Sequence, residues 1–114
     1  MIKGAWVDHP RYSVEADLFF GVLLSSAKNG ARNRNLAFLI QRDDLLGMYI
    51  EQDGKCSMSG LELSLEQNAG VRNDLRASVD RINSSLGYVP GNVHLVCAVV
   101  NIMKNDLSYN RFVN

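Results

Sequence analysis

A few polar residues in the last third of the chain are spaced as a cation site requires. Asp80 stands beside Arg81, Asn92 closes a loop, and Asn101 precedes Lys104 by three positions. A carboxylate and an amide oxygen suit a hard divalent cation, Mg²⁺ or Mn²⁺, with waters and a phosphate completing its shell. If that last segment is helical, Lys104 shares a face with Asn101 and its ammonium can reach the same phosphate. Arg81 stays protonated, so it can grip phosphate charge but cannot take a proton. His94 is the one histidine near this set. It reads either as a base for water or as a strand histidine facing a groove or solvent. Tyr88 reads either as loop packing or as a hydroxyl serving the site. Spacing alone does not separate this set from ordinary solvated side chains.

Bringing Asp80 and Asn101 together takes a strand, a loop, a second strand and a helix. Residues 77–82 are compatible with a strand, and residues 83–92, NSSLGYVPGN, read as a loop. Val93, Leu95 and Cys97 share one parity and His94, Val96 and Ala98 the other, as a strand requires. From Val99 the period changes, and Ile102, Met103 and Leu107 suit a helix. A two-stranded hairpin cannot bury its own face, so that helix and the N-terminal half must cover it.

In that half, Ser13 predicts an N-cap with Glu15 in the first helical turn. Leu18, Phe19, Val22 and Leu23 predict the buried face, and Asn29-Gly30 the stop. Leu36 to Ile40 reads as a short apolar strand or extended piece. Asp43 or Asp44 opens a second helix with Leu45, Leu46, Tyr49 and Ile50 turned inward and Gly54 closing it. Residues 55–63, KCSMSGLEL, read as a turn feeding a strand, and residues 66–76 as a polar loop.

At 114 residues and 46% apolar content, one domain with one modest core is expected. No stretch approaches the roughly 20 apolar residues of a membrane helix, no signal peptide is read at the N-terminus, and two cysteines suggest a reducing cytosol. Net charge is zero, but its distribution is uneven. Ser26 to Arg42 holds four bases (Lys28, Arg32, Arg34, Arg42) and no acid; Asp43 to Asp53 holds four acids and no base. Such a switch fits a phosphate-facing edge beside an acidic face, and equally two solvated surfaces.

Four separated motifs then occur in order: QDGKCSMSG (Gln52 to Gly60), SVDRI (Ser78 to Ile82), GYVPGN (Gly87 to Asn92) and VCAVVNIMK (Val96 to Lys104). Together they resemble the HNH, or His-Me finger, endonucleases, nearest to phage-type and recombination-endonuclease members, over about residues 44 to 112. AKNGARNRNLAFLI resembles the basic lead-in of such phage proteins. The resemblance implies an α+β fold in which N-terminal helices pack on a C-terminal ββα-metal motif. It implies one domain over 1–114, with 1–54 as helical cover carrying the basic segment and 55–114 as the nuclease-like core. Asp80 matches the first metal ligand and Asn101 the second; Asn92 matches the residue that orients the loop. With Arg81 and His94 these form the expected catalytic set. Lys28, Arg32, Arg34 and Lys104 are the expected DNA contacts.

Two positions depart from the family pattern. Arg81 stands where most members carry the general-base His. Cys56 and Cys97 keep one cysteine from each of two knuckle pairs, with Ser59 and Val100 in the partner positions, so no structural zinc is expected. The implied function is hydrolysis of DNA phosphodiester bonds with one Mg²⁺ or Mn²⁺, in the cytoplasm of a bacterial host as a phage or prophage protein. No membrane partner is expected, and a homodimer remains open. The alternative is an HNH-like module that binds nucleic acid or protein with weak cutting or none.

Overall fold

The computed structural model describes residue 6, residues 8–66 and residues 73–104. The expectations for Leu107 and for residues 67–72 of the polar loop lie outside these. α1 spans Val14–Asn33, and Ser13 caps it as expected, its Oγ accepting the Ala16 amide at 2.9 Å. Glu15 and Asp17 occupy the first turn, where anions complement the helix dipole.

The expected stop at Asn29-Gly30 is not used. The helix continues to Asn33, and Asn35 turns the chain at φ +57, with the Leu36 amide reaching back to the Ala31 carbonyl at 2.8 Å. The extra turn buries Ala31 completely, which offsets the cost of about 1 kcal/mol for a glycine inside a helix. Asparagine tolerates the left-handed conformation well enough to replace glycine as terminator. The buried face also differs from the expected one. Ala16, Phe19, Phe20 and Ala31 are inside, whereas Leu18 and Val22 are exposed. Both the sheet and the second helix press on α1, so the covered arc follows residues 16, 20 and 31 and turns away from residues 18 and 22.

α2 spans Arg42–Glu51, starting one residue before the expected aspartates. The Asp44 carboxylate accepts the Gln41 amide at 2.7 Å, tying down the helix start. Leu45, Leu46 and Tyr49 are buried as expected, while Ile50 is only partly covered. Phe20 joins the helices, its ring 5.2 Å from Phe19 and 5.4 Å from Tyr49. Gly54 closes the segment at φ +70, where a Cβ would lie 2.1 Å from the Arg11 guanidinium.

Residues 55–64 contribute two isolated bridges, Lys55 to Glu62 and Ser64 to Arg76, in place of the expected strand. β1 (Ala77–Arg81) and β2 (Val93–Cys97) pair antiparallel, with Asp80 opposite His94. Leu95 and Val96 are both fully buried, so β2 is covered on both faces. A third helix, α3 (residues 98–104), begins directly after β2. Its first amides donate to Arg76 and Asp74 carbonyls, which satisfies donors that a helix start leaves open. The result is a small α+β fold with a two-stranded antiparallel sheet. No helix among the described residues is long and apolar enough to cross a membrane.

Candidate functional site

The loop between β1 and β2 is held from inside by Asn92. Its Oδ1 accepts the Asn83 amide at 2.9 Å, and its Nδ2 donates to the Asn83 and Gly87 carbonyls at 3.1 and 2.8 Å. Asn92 is 6% exposed, so these bonds are sheltered from water. Gly87 is required by a close approach: a Cβ there would lie 2.5 Å from the Ala37 carbonyl. That approach lets the Tyr88 amide and carbonyl bond to Ala37 and Leu39, docking residues 37–39 against the loop. Tyr88 is buried, its ring 5.5 Å from Phe38.

Two guanidinium groups then gather on Tyr88. Arg34 donates to its hydroxyl at 2.7 Å, and Arg81 lies over its ring at 5.5 Å. Arg81 also donates to the Ser84 and Leu86 carbonyls at 2.7 and 3.1 Å. Both bonds come from Nη1, so it ties the loop back onto β1 with one arm of its fork.

Asp80 is the buried centre of the polar set, its side chain 8% exposed. Its Oδ2 accepts from Lys104 Nζ at 2.6 Å and pairs with His94 Nε2 at 2.8 Å. Lys104 also donates to the Arg81 carbonyl at 2.9 Å. On its other side, His94 Nδ1 meets Ser57 Oγ at 2.8 Å. A carboxylate only accepts, so His94 Nε2 is the donor; in a neutral ring Nδ1 then accepts the Ser57 hydroxyl proton. His94 thus lies beside Asp80, between two polar partners, and is not among the residues that line the cleft described below. Counting outward from a loop of 83–92 would have paired His94 with Arg81; the strand ends at Arg81, which puts Asp80 opposite it. Nothing in the sequence signals Ser57, which reaches the site from a separate turn.

Asn101 sits in the first turn of α3 and donates from Nδ2 to Ser78 Oγ at 2.9 Å. Its Oδ1 is therefore the atom available to a cation. Asp80 and Asn101 line one cleft of about 190 Å³, together with Arg34, Arg81, Tyr88 and Lys104. Among the described residues no group of three His, Cys, Asp or Glu side chains forms a metal cage. The candidate donor set is one carboxylate and one amide oxygen, which fits a hard cation that keeps waters and takes phosphate. Asp80 Oδ1 and Asn101 Oδ1 are the atoms that would serve it, since Asp80 Oδ2 is engaged by His94 and Lys104.

The basic segment divides. Arg34 lines the cleft, but Lys28 and Arg32 do not. Ser26, Ala27 and Gly30 give α1's wall to the adjoining cavity. At 100° per residue, Lys28 and Arg32 each lie about 160° around the helix from Gly30. Both are exposed on the far side of α1, so they do not flank this cleft.

The two thiols, Cys56 and Cys97, are neighbours. The Cys97 amide donates to Cys56 Sγ at 3.4 Å, and Ser59 Oγ lies 3.8 Å from Cys97 Sγ. Burial pushes the Cys56 thiol up, but hydrogen bonds from the Ser59 side chain and from the Cys97, Ser59 and Met58 backbones outweigh it and hold it at about 7, below 9.0. The folded chain therefore loses this proton before the unfolded chain does. Between about pH 7 and 9 the unfolded state binds more protons, so stability rises with pH. This contribution is present in full above about pH 9 and lost as the pH falls through about 7. Urea melts should show a midpoint that climbs over this window in the native chain and stays flatter in Cys56→Ala.

Comparison with protein-family models, with curated proteins and with solved structures finds no match to this chain.

Proposed function

We propose that the chain is a metal-dependent endonuclease that hydrolyses DNA phosphodiester bonds, built on a ββα-metal motif formed by β1, β2 and α3. The observation that carries this reading is the convergence of Asp80 and Asn101 on one cleft walled by Arg34, Arg81 and Lys104. These two oxygen donors would hold a hard cation, and the three positive charges would attract the phosphate it shares. The ordered resemblance of the four motifs supports the same reading.

In this scheme Asp80 and Asn101 would hold a Mg²⁺ or Mn²⁺. When bound, such a cation supplies a Lewis acid for the scissile phosphate and acidifies water. Arg34 and Lys104 hold the phosphate oxygens in the cleft. Arg81 anchors the loop through the Ser84 and Leu86 carbonyls and adds positive charge to the wall. His94 would take a proton at Nδ1, the nitrogen that faces Ser57, because its Nε2–H is donated to Asp80, and Asp80 would stabilise the imidazolium that results. Ser57 fixes the ring on its other side.

A second reading, a nucleic-acid- or protein-binding module that does not cut, is favoured by one contact. Lys104 already neutralises Asp80 at 2.6 Å, as a resident cation would. Supercoiled plasmid incubated with Mg²⁺, Mn²⁺ or EDTA separates the two. Nicked or linear product with either metal and none in EDTA is expected; no product under any condition favours the binding module. Arg34→Ala should weaken binding to all DNA sequences alike and lower the slope of log affinity against log salt by about one unit, as loss of one phosphate contact does. Arg32→Ala, on the far side of α1, should change the slope less. Equal effects would mean that DNA also wraps the outer face.

A further inference from the structure

The cleft that holds Asp80 carries more positive charge than negative. Arg34, Arg81 and Lys104 line it against one carboxylate, which leaves two positive charges in excess among the described residues. Lys104 takes up the carboxylate, its Nζ 2.6 Å from Asp80 Oδ2. Neither guanidinium forms an ion pair with an acid among the described residues. Arg34 donates from Nη2 to the Tyr88 hydroxyl at 2.7 Å, and both bonds of Arg81 to the loop come from Nη1. Each arginine therefore keeps its Nε–H and one arm of its fork for a ligand. The Tyr88 ring gathers them, its centroid 6.0 Å from the Arg34 guanidinium carbon and 5.5 Å from that of Arg81. Its hydroxyl accepts from Arg34, so its own proton is left to donate. Like charges held on one ring repel, and an anion in the cleft relieves that repulsion.

We propose that this cleft, without a divalent cation, binds a terminal phosphomonoester, the phosphorylated end of a nucleic-acid strand, in preference to a phosphodiester within the strand. This deepens the reading given above and rests on it for the assignment of the cleft to nucleic acid. An internal phosphodiester carries a single charge on its two free oxygens. A phosphomonoester carries about two charges near pH 7, spread over three acceptor oxygens. Its charge matches the excess in the cleft, and the free guanidinium arms, the Lys104 ammonium and the Tyr88 hydroxyl supply donors for all of its oxygens.

The test is binding in EDTA, which needs no cutting. Three duplexes of one sequence, labelled internally with fluorescein, are compared: one with 5′-phosphates, one with 3′-phosphates and one with hydroxyls at every end. At least one phosphorylated duplex should bind about 10-fold more tightly than the hydroxyl duplex, since one hydrogen bond to a charged group is worth about that much or more. The duplex that gains identifies the end. Arg34→Gln should remove most of the gain. Arg32→Gln deletes an equal charge on the far side of α1 and should leave the gain in place. Both arginines are exposed, so neither change disturbs the core. Equal affinity of the native chain for the three duplexes overturns the proposal. A gain that the two variants reduce alike also overturns it, because bulk charge would act that way. A gain that only Arg34→Gln removes upholds it even if no metal supports cleavage, and would then fault the cutting reading alone. Plasmid cutting together with equal binding of the three duplexes would fault this proposal alone.

Discussion

Plasmid cleavage in Mn²⁺ should fall below detection in Asp80→Asn and by about 10²–10⁴-fold in His94→Ala. The asparagine keeps the shape of Asp80 and an oxygen for His94 and Lys104 to donate to, but loses the only carboxylate that the described residues place in the cleft. Without that charge neither a divalent cation nor a protonated His94 is stabilised, so two contributions vanish together. Removing His94 takes away the proton acceptor and leaves the cation donors in place. Arg81→His in the His94→Ala background is the sharper experiment. It puts an imidazole beside Asp80 on the neighbouring strand position, where the resembled endonucleases usually carry theirs. Recovery of part of the lost rate near pH 7 would mean that the site needs one base and accepts it from either strand. Full activity in His94→Ala alone would remove His94 from the chemistry, and the proton would then have to leave by another route.

The largest loss of stability outside the apolar core is expected at Asn92. Its side chain makes three hydrogen bonds inside the 83–92 loop. Asn92→Ala removes all three bonds and leaves the Asn83 amide without a partner in a site sheltered from water, while the Asn83 and Gly87 carbonyls keep the Leu86 and Val89 amides. At about 1 kcal/mol per bond, and more where a buried group stays unpaired, the cost is about 2–4 kcal/mol. Asn92→Asp should be at least as damaging at neutral pH. It keeps an acceptor for the Asn83 amide but turns a carboxylate toward two carbonyl oxygens. That carboxylate favours its protonated form in the fold, so the deficit should shrink as the pH falls toward 4. Urea melts of both variants at pH 7 and pH 4.5 check this. An unchanged midpoint in Asn92→Ala would mean that water replaces the side chain in the loop. Binding should fall along with stability, because the same loop carries Tyr88, against which Arg34 and Arg81 rest.

Much of the local architecture was legible in the sequence, because short-range chemistry decides it. Ser13 caps α1 since a hydroxyl before an apolar period has an open amide to bond. The order strand, loop, strand, helix followed from a change of period between residues 77 and 104, but the loop read as 83–92 would pair Arg81 with His94; the strand ends one residue earlier, at Arg81, and that shift puts Asp80 opposite His94. The convergence of Asp80 and Asn101 on one cleft was anticipated for the same reason: a strand end and the next helix start have few ways to be apart.

Other features depend on which surfaces meet, and that is a property of the packed chain. The face of α1 that turns inward is set by α2 and the sheet together; Leu18 and Val22, apolar by type, are left outside while Gly30 and Ala31 extend the helix. The same rotation puts Arg34 in the cleft and Lys28 and Arg32 on the far side, although all three belong to one basic run in sequence. Ser57 joins His94 because a turn 37 residues away folds over β2. Lys104 settles on Asp80 because α3 leaves β2 at an angle that brings its ammonium to a buried carboxylate, and at 2.6 Å that pairing offsets the cost of burying the charge. Types and spacing named the candidate groups; the packing of α1, β1 and α3 decided which of them share a cleft.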